Sequence, residues 1–364
     1  MTFPCLPSNR RASGPGPRAV AFLLLAGVLA APLAACGGYD EKPPIPEPTR
    51  WSKDVVETWS KVPVQEDGRV KPFLSWANVA LLGMNHKRSI KDPWGRKLSG
   101  VEWALDVMFR PEVARYYDCF RIEDDEILDA IEVGHEGKKK ADRYSFDDLE
   151  PGLRRLQAKV DEIRARQRED GIETKDLPRV EQGLLALGHS LAMYRNLAAF
   201  LDFARRSVPV PDEGGLREAF GGQAIVGYDA VLEQIPDLLA WFRSQNAQAL
   251  DEAGRLRYMS TGNLLQGFFD HAMRADAVRL LPPAEKPEDV EAPFDHHDIP
   301  WITPAELFAR HYLGQGPETT LSARPDPVHF RMLADLHGMV SHVDDASTFQ
   351  RHAQEFQQRG RELA

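Results

Sequence analysis

A mainly α fold is predicted: a helical bundle with a long antiparallel helical hairpin, plus a small N-terminal α/β lobe with a β-hairpin. Three observations predict it. First, Leu149, Leu153, Leu156, Val160 and Ile163 step by four and three, and after a polar turn at Gly171 so do Leu177, Val180, Leu184, Leu187, Leu191, Tyr194, Ala198 and Leu201. Two stripes of that period face each other in coiled-coil-like packing, and Gly183 and Gly188 allow the helices to come close. Second, Val62 and Val64 alternate with polar neighbours, Asp67-Gly68 is a tight-turn signal, and Val70 resumes the apolar face. That is a β-hairpin. Third, the rest of the chain is helical in period and punctuated by proline, at Pro209, Pro211, Pro282, Pro283, Pro325 and Pro327.

Taken in order, 51–59 is a short helix with Val55, Val56 and Trp59 on one side. The hairpin at 62–72 cannot sit deep in a sheet, because Pro63 and Pro72 lack ladder donors. A helix over 73–82 buries Phe73, Trp76, Ala77, Ala80 and Leu81. Ser99 caps the next helix with Glu102 as its reciprocal partner, Val101, Leu105 and Met108 form the stripe, and Arg110-Pro111 ends it. A strand is expected at 116–122 and a short helix at 123–131, with Glu123, Asp124 and Asp125 at its positive end. The polar turn 134–140 ends in Lys138, Lys139 and Lys140, a solvated run. Ser145 and Asp148 cap the long hairpin's first helix. Helices follow at 228–250, with Pro236 starting or kinking its second half, and at 256–281, with Leu264, Phe268, His271 and Ala272 on one face. After a linker at 287–300, Thr303, Pro304 and Glu306 form a capped helix start. Helices over 328–343 and 348–363 close the chain, Asp344 and Asp345 being helix-start acids.

The amino terminus has its own pattern. Arg10, Arg11 and Arg18 precede the apolar run 19–30, and Leu33-Ala34-Ala35-Cys36 follows. A basic segment, a greasy segment and small residues form an export signal. The run is shorter than the ~20 residues of a spanning helix, and Pro32 interrupts its end. Ala12-Ser13-Gly14 after the arginine pair favours the general export route over a twin-arginine one. The Leu-Ala-Ala-Cys stretch resembles the lipobox of bacterial lipoproteins, which implies a diacylglycerol on Cys36 and cleavage just before it. The alternative is an ordinary signal cut elsewhere. Pro43, Pro44, Pro46 and Pro48 then make an extended tether. The expected division is signal 1–35, tether 36–50, α/β lobe 51–144 and helical domain 145–364.

The net charge is −10, and a leader with three arginines and no acid leaves the remainder more acidic still. Such a surface argues against nucleic acid and against a basic membrane-surface patch, and leaves protein or small-molecule partners open. Of the three cysteines, only Cys119 lies beyond the leader and the lipidation point, so no disulfide within the processed chain is expected. Its neighbours Tyr117 and Phe120 mark a buried, inert thiol. There is no Cys-x-x-Cys, Gly-x-Ser-x-Gly or phosphate-cradling glycine motif. No catalytic constellation is visible, and no enzyme activity, metal or cofactor is expected.

Val62-Pro63-Val64-Gln65 followed by Asp67-Gly68-Arg69-Val70-Lys71-Pro72 resembles the "LPVQ-x-x-GR-x-KP" opening of the large extracytoplasmic segment of cytochrome c biogenesis proteins of the CcsA/ResB type. Further matches come in the same order. The segment 103–111 is similar to the family's apolar helix ending in a Pro-Glu step. Tyr144-Ser145-Phe146-Asp147-Asp148-Leu149 is similar to its "YSxxDL" motif. Leu280-Leu281-Pro282 with Trp301-Ile302-Thr303-Pro304 is similar to its "LxLLP…W-x-S/T-P" segment, and 332–349 to its last helical pair. Relatives also carry membrane helices with a tryptophan-rich haem motif. The present 364 residues hold none of these, so haem-ligating roles transfer to no residue here. The resemblance implies an accessory role outside the cytoplasm: a scaffold module in c-type cytochrome biogenesis, moored by its lipid beside a membrane haem-handling protein. The alternative is a periplasmic lipoprotein that binds a small ligand or metal.

Gln65, Arg69 and Lys71, with Trp76 nearby, form the candidate partner-binding set. Their cations can dock an acidic or carboxylate-bearing partner, haem propionate included, or, as expected, Arg69 and Lys71 are structural, paired with acids of the helical part. His296-His297-Asp298, after Asp295, has the donors for zinc, but no distant third ligand is signalled and a polar loop is expected. His337 and His342 do not share a helix face. His271 and His329 can be haem contacts or, as expected, ordinary histidines.

Overall fold

In the computed structural model, which describes residues 46–66, 68–138, 142–274, 276–282, 301–313 and 327–363, helices carry the fold. Among these residues the named strands come as short antiparallel pairs, so the mainly α class with small β-hairpins is what the chain adopts. No described helix is long and apolar enough to cross a membrane. Residues 1–45, with Cys36 and most of the expected tether, lie outside the described residues.

Helix α1 (Lys53–Ser60) starts at Ser52, whose hydroxyl accepts the N–H of Val55. Strands β1 (Pro63–Glu66) and β2 (Arg69–Pro72) pair with Pro63 opposite Pro72 and Glu66 opposite Arg69. That register leaves a two-residue turn in which Gly68 takes φ +72°, a left-handed value that glycine adopts at no steric cost. Helix α2 (Phe73–Asn85) runs three residues beyond the expected end, and His86 stops it in a left-handed conformation. Strands β3 (Ser89–Lys91) and β4 (Lys97–Ser99) form a second hairpin, not foreseen in the sequence. Helix α3 (Gly100–Phe109) has the full capping box of Ser99 and Glu102, and α4 (Pro111–Ala114) follows.

The strand expected at 116–122 shrinks to β5 (Phe120–Arg121), paired with β6 (Arg143–Tyr144) on either side of α5 (Asp125–Ile131). Ser145 and Asp148 do form a capping box, but on the four-residue α6 (Phe146–Leu149). Pro151 is the reason, since a proline inside a helix removes a donor and clashes with the preceding turn. A 3₁₀ turn, Glu150–Gly152, separates α6 from α7 (Leu153–Asp170). Helix α7 and α8 (Arg179–Ala199) make the antiparallel hairpin, with Gly171 at φ +67° ending the first helix. Val160 sits against Gly188, and Arg166 pairs with Glu181 nearer the turn.

The chain continues through α9 (Asp202–Arg205), then β7 (Val208–Pro209) paired with β8 (Ile225–Val226), another small hairpin the sequence did not disclose. Helix α10 (Tyr228–Ser244) contains Pro236 and ends earlier than expected. Helix α11 (Glu252–Ala272) also stops early, well before Pro282. The residues after it are drawn into β bridges, Arg279 with Gln65 and Leu281 with Ile302, which a helix through 281 would forbid. Helices α12 (Pro304–Leu313), α13 (Pro327–Ser341) and α14 (Ala346–Leu363) complete the order.

Residues on both sides of position 145 share one hydrophobic core. The first and last described helices meet in it: Trp59 on α1 packs edge-on to Phe73 and Phe109 and stacks on Phe356 of α14. Trp51 touches Phe109 and Phe349, and its indole N–H donates to Asp106 at 2.9 Å. The described end of the tether is held to this body. Arg96 donates to the carbonyl of Pro48 at 2.8 Å, and Arg110 to that of Thr49 at 2.7 Å.

Candidate functional site

The hairpin β1–β2 is the place where the predicted site residues can be located. Gln65 is buried in it. Its backbone N–H donates to the carbonyl of Arg279 at 3.1 Å. Its side-chain carbonyl accepts the backbone N–H of Trp301 at 2.8 Å. Arg279 then donates a two-pronged pair to Glu306, at 2.8 and 2.9 Å, and a further bond to the carbonyl of Trp301. Glu306 also accepts from the N–H of Thr303 at 3.0 Å, while the Thr303 hydroxyl accepts from Glu306 N–H at 3.1 Å and donates to Asp276 at 3.0 Å. The expected capping box at Thr303 is thus formed, and an arginine fork locks it to the hairpin. The forked geometry suits guanidinium and carboxylate.

The four candidate partner-binding residues divide by exposure. Gln65 and Trp76 are buried, Trp76 stacking on Phe73 with ring centroids 5.3 Å apart. Lys71 is half-buried and ion-paired with Glu66 inside the hairpin. Arg69 is exposed at the turn. Gln65 and Trp76 are therefore interior residues, and Arg69 is the member that solvent reaches most freely.

Beside it lies a surface that sequence reasoning missed. Helix α2 buries the expected stripe from Phe73 to Leu81 and adds Met84. On the other side Leu74, Val79 and Leu82 are exposed by 42%, 56% and 36%. The signal was present in the sequence: 73–84 is apolar almost all round, more than one buried face requires. At the far end of α2 a cleft of about 340 Å³ opens, lined by Gly83, His86, Arg121, Glu123, Arg179 and Gln182 among others. Glu123 faces both His86 at 3.5 Å and Arg121 at 3.3 Å.

The remaining candidates are placed as follows. His329 is buried, with Nε2 2.7 Å from the carbonyl oxygen of Pro282. His337 lies against the Tyr228 ring, and Nδ1 of His342 is 2.9 Å from the carbonyl of Gly338. Asp345 accepts from Ser347 and Thr348 as the start of α14, and these bonds hold its carboxyl well below the usual range. Cys119 is fully buried, and burial pushes its thiol up, away from the reactive thiolate. Cys36, His296, His297 and Asp298, and the side chain of His271, lie outside the described residues.

Comparison with protein-family models, with curated proteins and with solved structures finds no match to this chain.

Proposed function

We propose that this chain is an extracytoplasmic lipoprotein, moored through Cys36, that serves as an accessory scaffold in c-type cytochrome biogenesis beside a membrane haem-handling protein of the CcsA/ResB type. The observation that carries the reading is the Gln65–Trp301 bond. Two of the stretches that resemble that family are far apart in sequence, and Gln65 of one bonds directly to Trp301 of the other. The partner-facing surface in this reading comprises the exposed Arg69 at the hairpin turn and the exposed Leu74, Val79 and Leu82 of α2. That mixture suits a contact with a core of apolar side chains and a polar rim.

The test is deletion of the gene, followed by staining membranes for covalently bound haem under growth that requires c-type cytochromes. Loss of the haem-stained bands is expected, and an unchanged pattern rejects the role. The mooring is checked by the mass of the amino-terminal peptide from membrane-extracted protein, which should begin at Cys36 with a diacylglycerol adduct.

A second reading, extracytoplasmic binding of a small ligand, is favoured by the cleft beside α2, whose volume falls in the ~300–1,000 Å³ span of ligand sites. It predicts normal cytochromes in the deletion strain.

A further inference from the structure

The pair α13 and α14 packs closely and brings three metal-ligating side chains to one point. Asp335 comes from α13, and His352 and Glu355 from α14. His352 and Glu355 are three residues apart, so they project from one face of their helix. Nδ1 of His352 lies 3.8 Å from Oδ1 of Asp335 and 4.0 Å from Oε2 of Glu355, and the three donor atoms all fall within 4.8 Å of one another. That Nδ1 is buried and has no hydrogen-bond partner. A buried polar atom left so calls for an explanation.

The backbone is cut to fit the imidazole. A Cβ on Gly338, one turn along α13 from Asp335, would stand 2.6 Å from both Cε1 and Nε2 of His352. Any side chain there would push the ring away from Asp335. The carboxylate itself is nearly fully buried, and Arg359 holds its other oxygen, Oδ2, leaving Oδ1 turned to the imidazole. An outer partner that orients a ligating carboxylate in this way is a regular feature of metal sites.

We propose that Asp335, His352 and Glu355 form a binding site for a single divalent cation of the zinc class. One imidazole nitrogen and two carboxylate oxygens are donors that zinc takes at about 2.0–2.2 Å in tetrahedral sites, which sets neighbouring donors about 3.4 Å apart. The distances here are longer by a few tenths of an ångström to somewhat over one. Glu355, at the solvent edge with 36% of its side chain exposed, closes the gap by a rotamer change. Ligation through Nδ1 places the imidazole proton on Nε2, so Arg351, now 3.3 Å from Nε2, turns out to solvent. With three protein donors the fourth position is open to water. Asp335, Glu355 and Arg359 sum to one negative charge once Arg351, now 3.4 Å from Oε1 of Glu355, has turned away, which favours a dication.

The test uses the full chain in detergent, stripped with chelator and titrated with Zn²⁺ by calorimetry. The His296-His297 pair also offers imidazole nitrogens, so variants assign the heat. The expected result is that His352→Gln and Glu355→Gln each remove one equivalent, or weaken it by more than the ~10- to 100-fold that loss of an outer partner costs. His296→Gln with His297→Gln leaves that equivalent in place. Zn²⁺ should also raise the unfolding temperature of the unaltered chain and not that of Glu355→Gln. Equal zinc binding by the unaltered chain and Glu355→Gln, or no zinc binding at all, overturns the site. Glu355 lies at the surface, so this variant decides the matter even if His352→Gln fails to fold.

Discussion

The side-chain carbonyl of Gln65 accepts the backbone N–H of Trp301 at 2.8 Å, across 236 positions of sequence. Both residues are buried, so removing the acceptor leaves a backbone donor with no water to turn to. Gln65→Ala is expected to lower unfolding free energy by roughly 1–3 kcal/mol, the cost of an unsatisfied buried group. Arg69→Ala, at an exposed position, should stay within about 0.5 kcal/mol. Urea denaturation followed by circular dichroism measures both, and an unchanged midpoint for Gln65→Ala would mean that the joint does not hold the hairpin.

Asp106 couples stability to pH. Burial raises its carboxyl to about 6, against the opposing pull of Arg110 and the bonds from Tyr117 and Trp51. The folded chain therefore holds this proton more tightly than the unfolded chain, whose carboxyl titrates near 3.8. Folding takes up a proton between about pH 4 and 6, so this group's contribution is full below pH 4 and is lost as pH rises through 6. At ~1.4 kcal/mol per pKa unit the change is of order 3 kcal/mol. Asp106→Asn should flatten that part of the stability profile. Profiles of equal slope in the two proteins would show that Asp106 is not its source.

Gly183 in α8 faces Ile127 of α5. A Cβ there would meet the isoleucine Cδ1 at 2.3 Å and Cγ1 at 3.1 Å. Gly183→Ala gains up to ~1 kcal/mol of helix propensity, but overpacking costs about 1–3 kcal/mol. A net loss is expected. Adding Ile127→Val removes the Cδ1 that the new methyl strikes, and should return much of the stability. Equal destabilisation in the single and double variants would place the strain elsewhere.

Cys119 should resist N-ethylmaleimide in the native chain and react once the chain is unfolded in urea, because its side chain is wholly buried and its thiolate disfavoured. Peptide mass mapping reads the modification site by site. Rapid native labelling would contradict the packing around α3 and β5.

Local chemistry was legible and long-range pairing was not. The capping boxes at Ser99 and Thr303 could be read because both partners sit within three residues. The hairpin register at 63–72 was set by a two-residue turn. The stripes of α7 and α8 were visible for the same reason, since one helix face repeats within a few residues. The misreadings come from distant partners or a single proline. Nothing near Ala272 announces that Arg279 and Leu281 are claimed by Gln65 and Ile302. The short pairing of β7 with β8 spans the 3₁₀ stretch Glu213–Phe220 and carries no tight-turn signal. At the site, the turn beside Arg69 was legible from Asp67-Gly68. The burial of Gln65 depends on Trp301, and the gathering of Asp335 with His352 depends on how α13 meets α14.

The most direct measurement of the proposed role is covalent haem in membranes of a gene-deletion strain complemented with the native gene or with one carrying Val79→Glu and Leu82→Glu. Both positions are exposed, so the altered protein should accumulate normally. The expectation is that deletion abolishes covalent haem, the native gene restores it, and the altered gene does not. Covalent haem at the parental level in the uncomplemented deletion strain would contradict a role in cytochrome assembly.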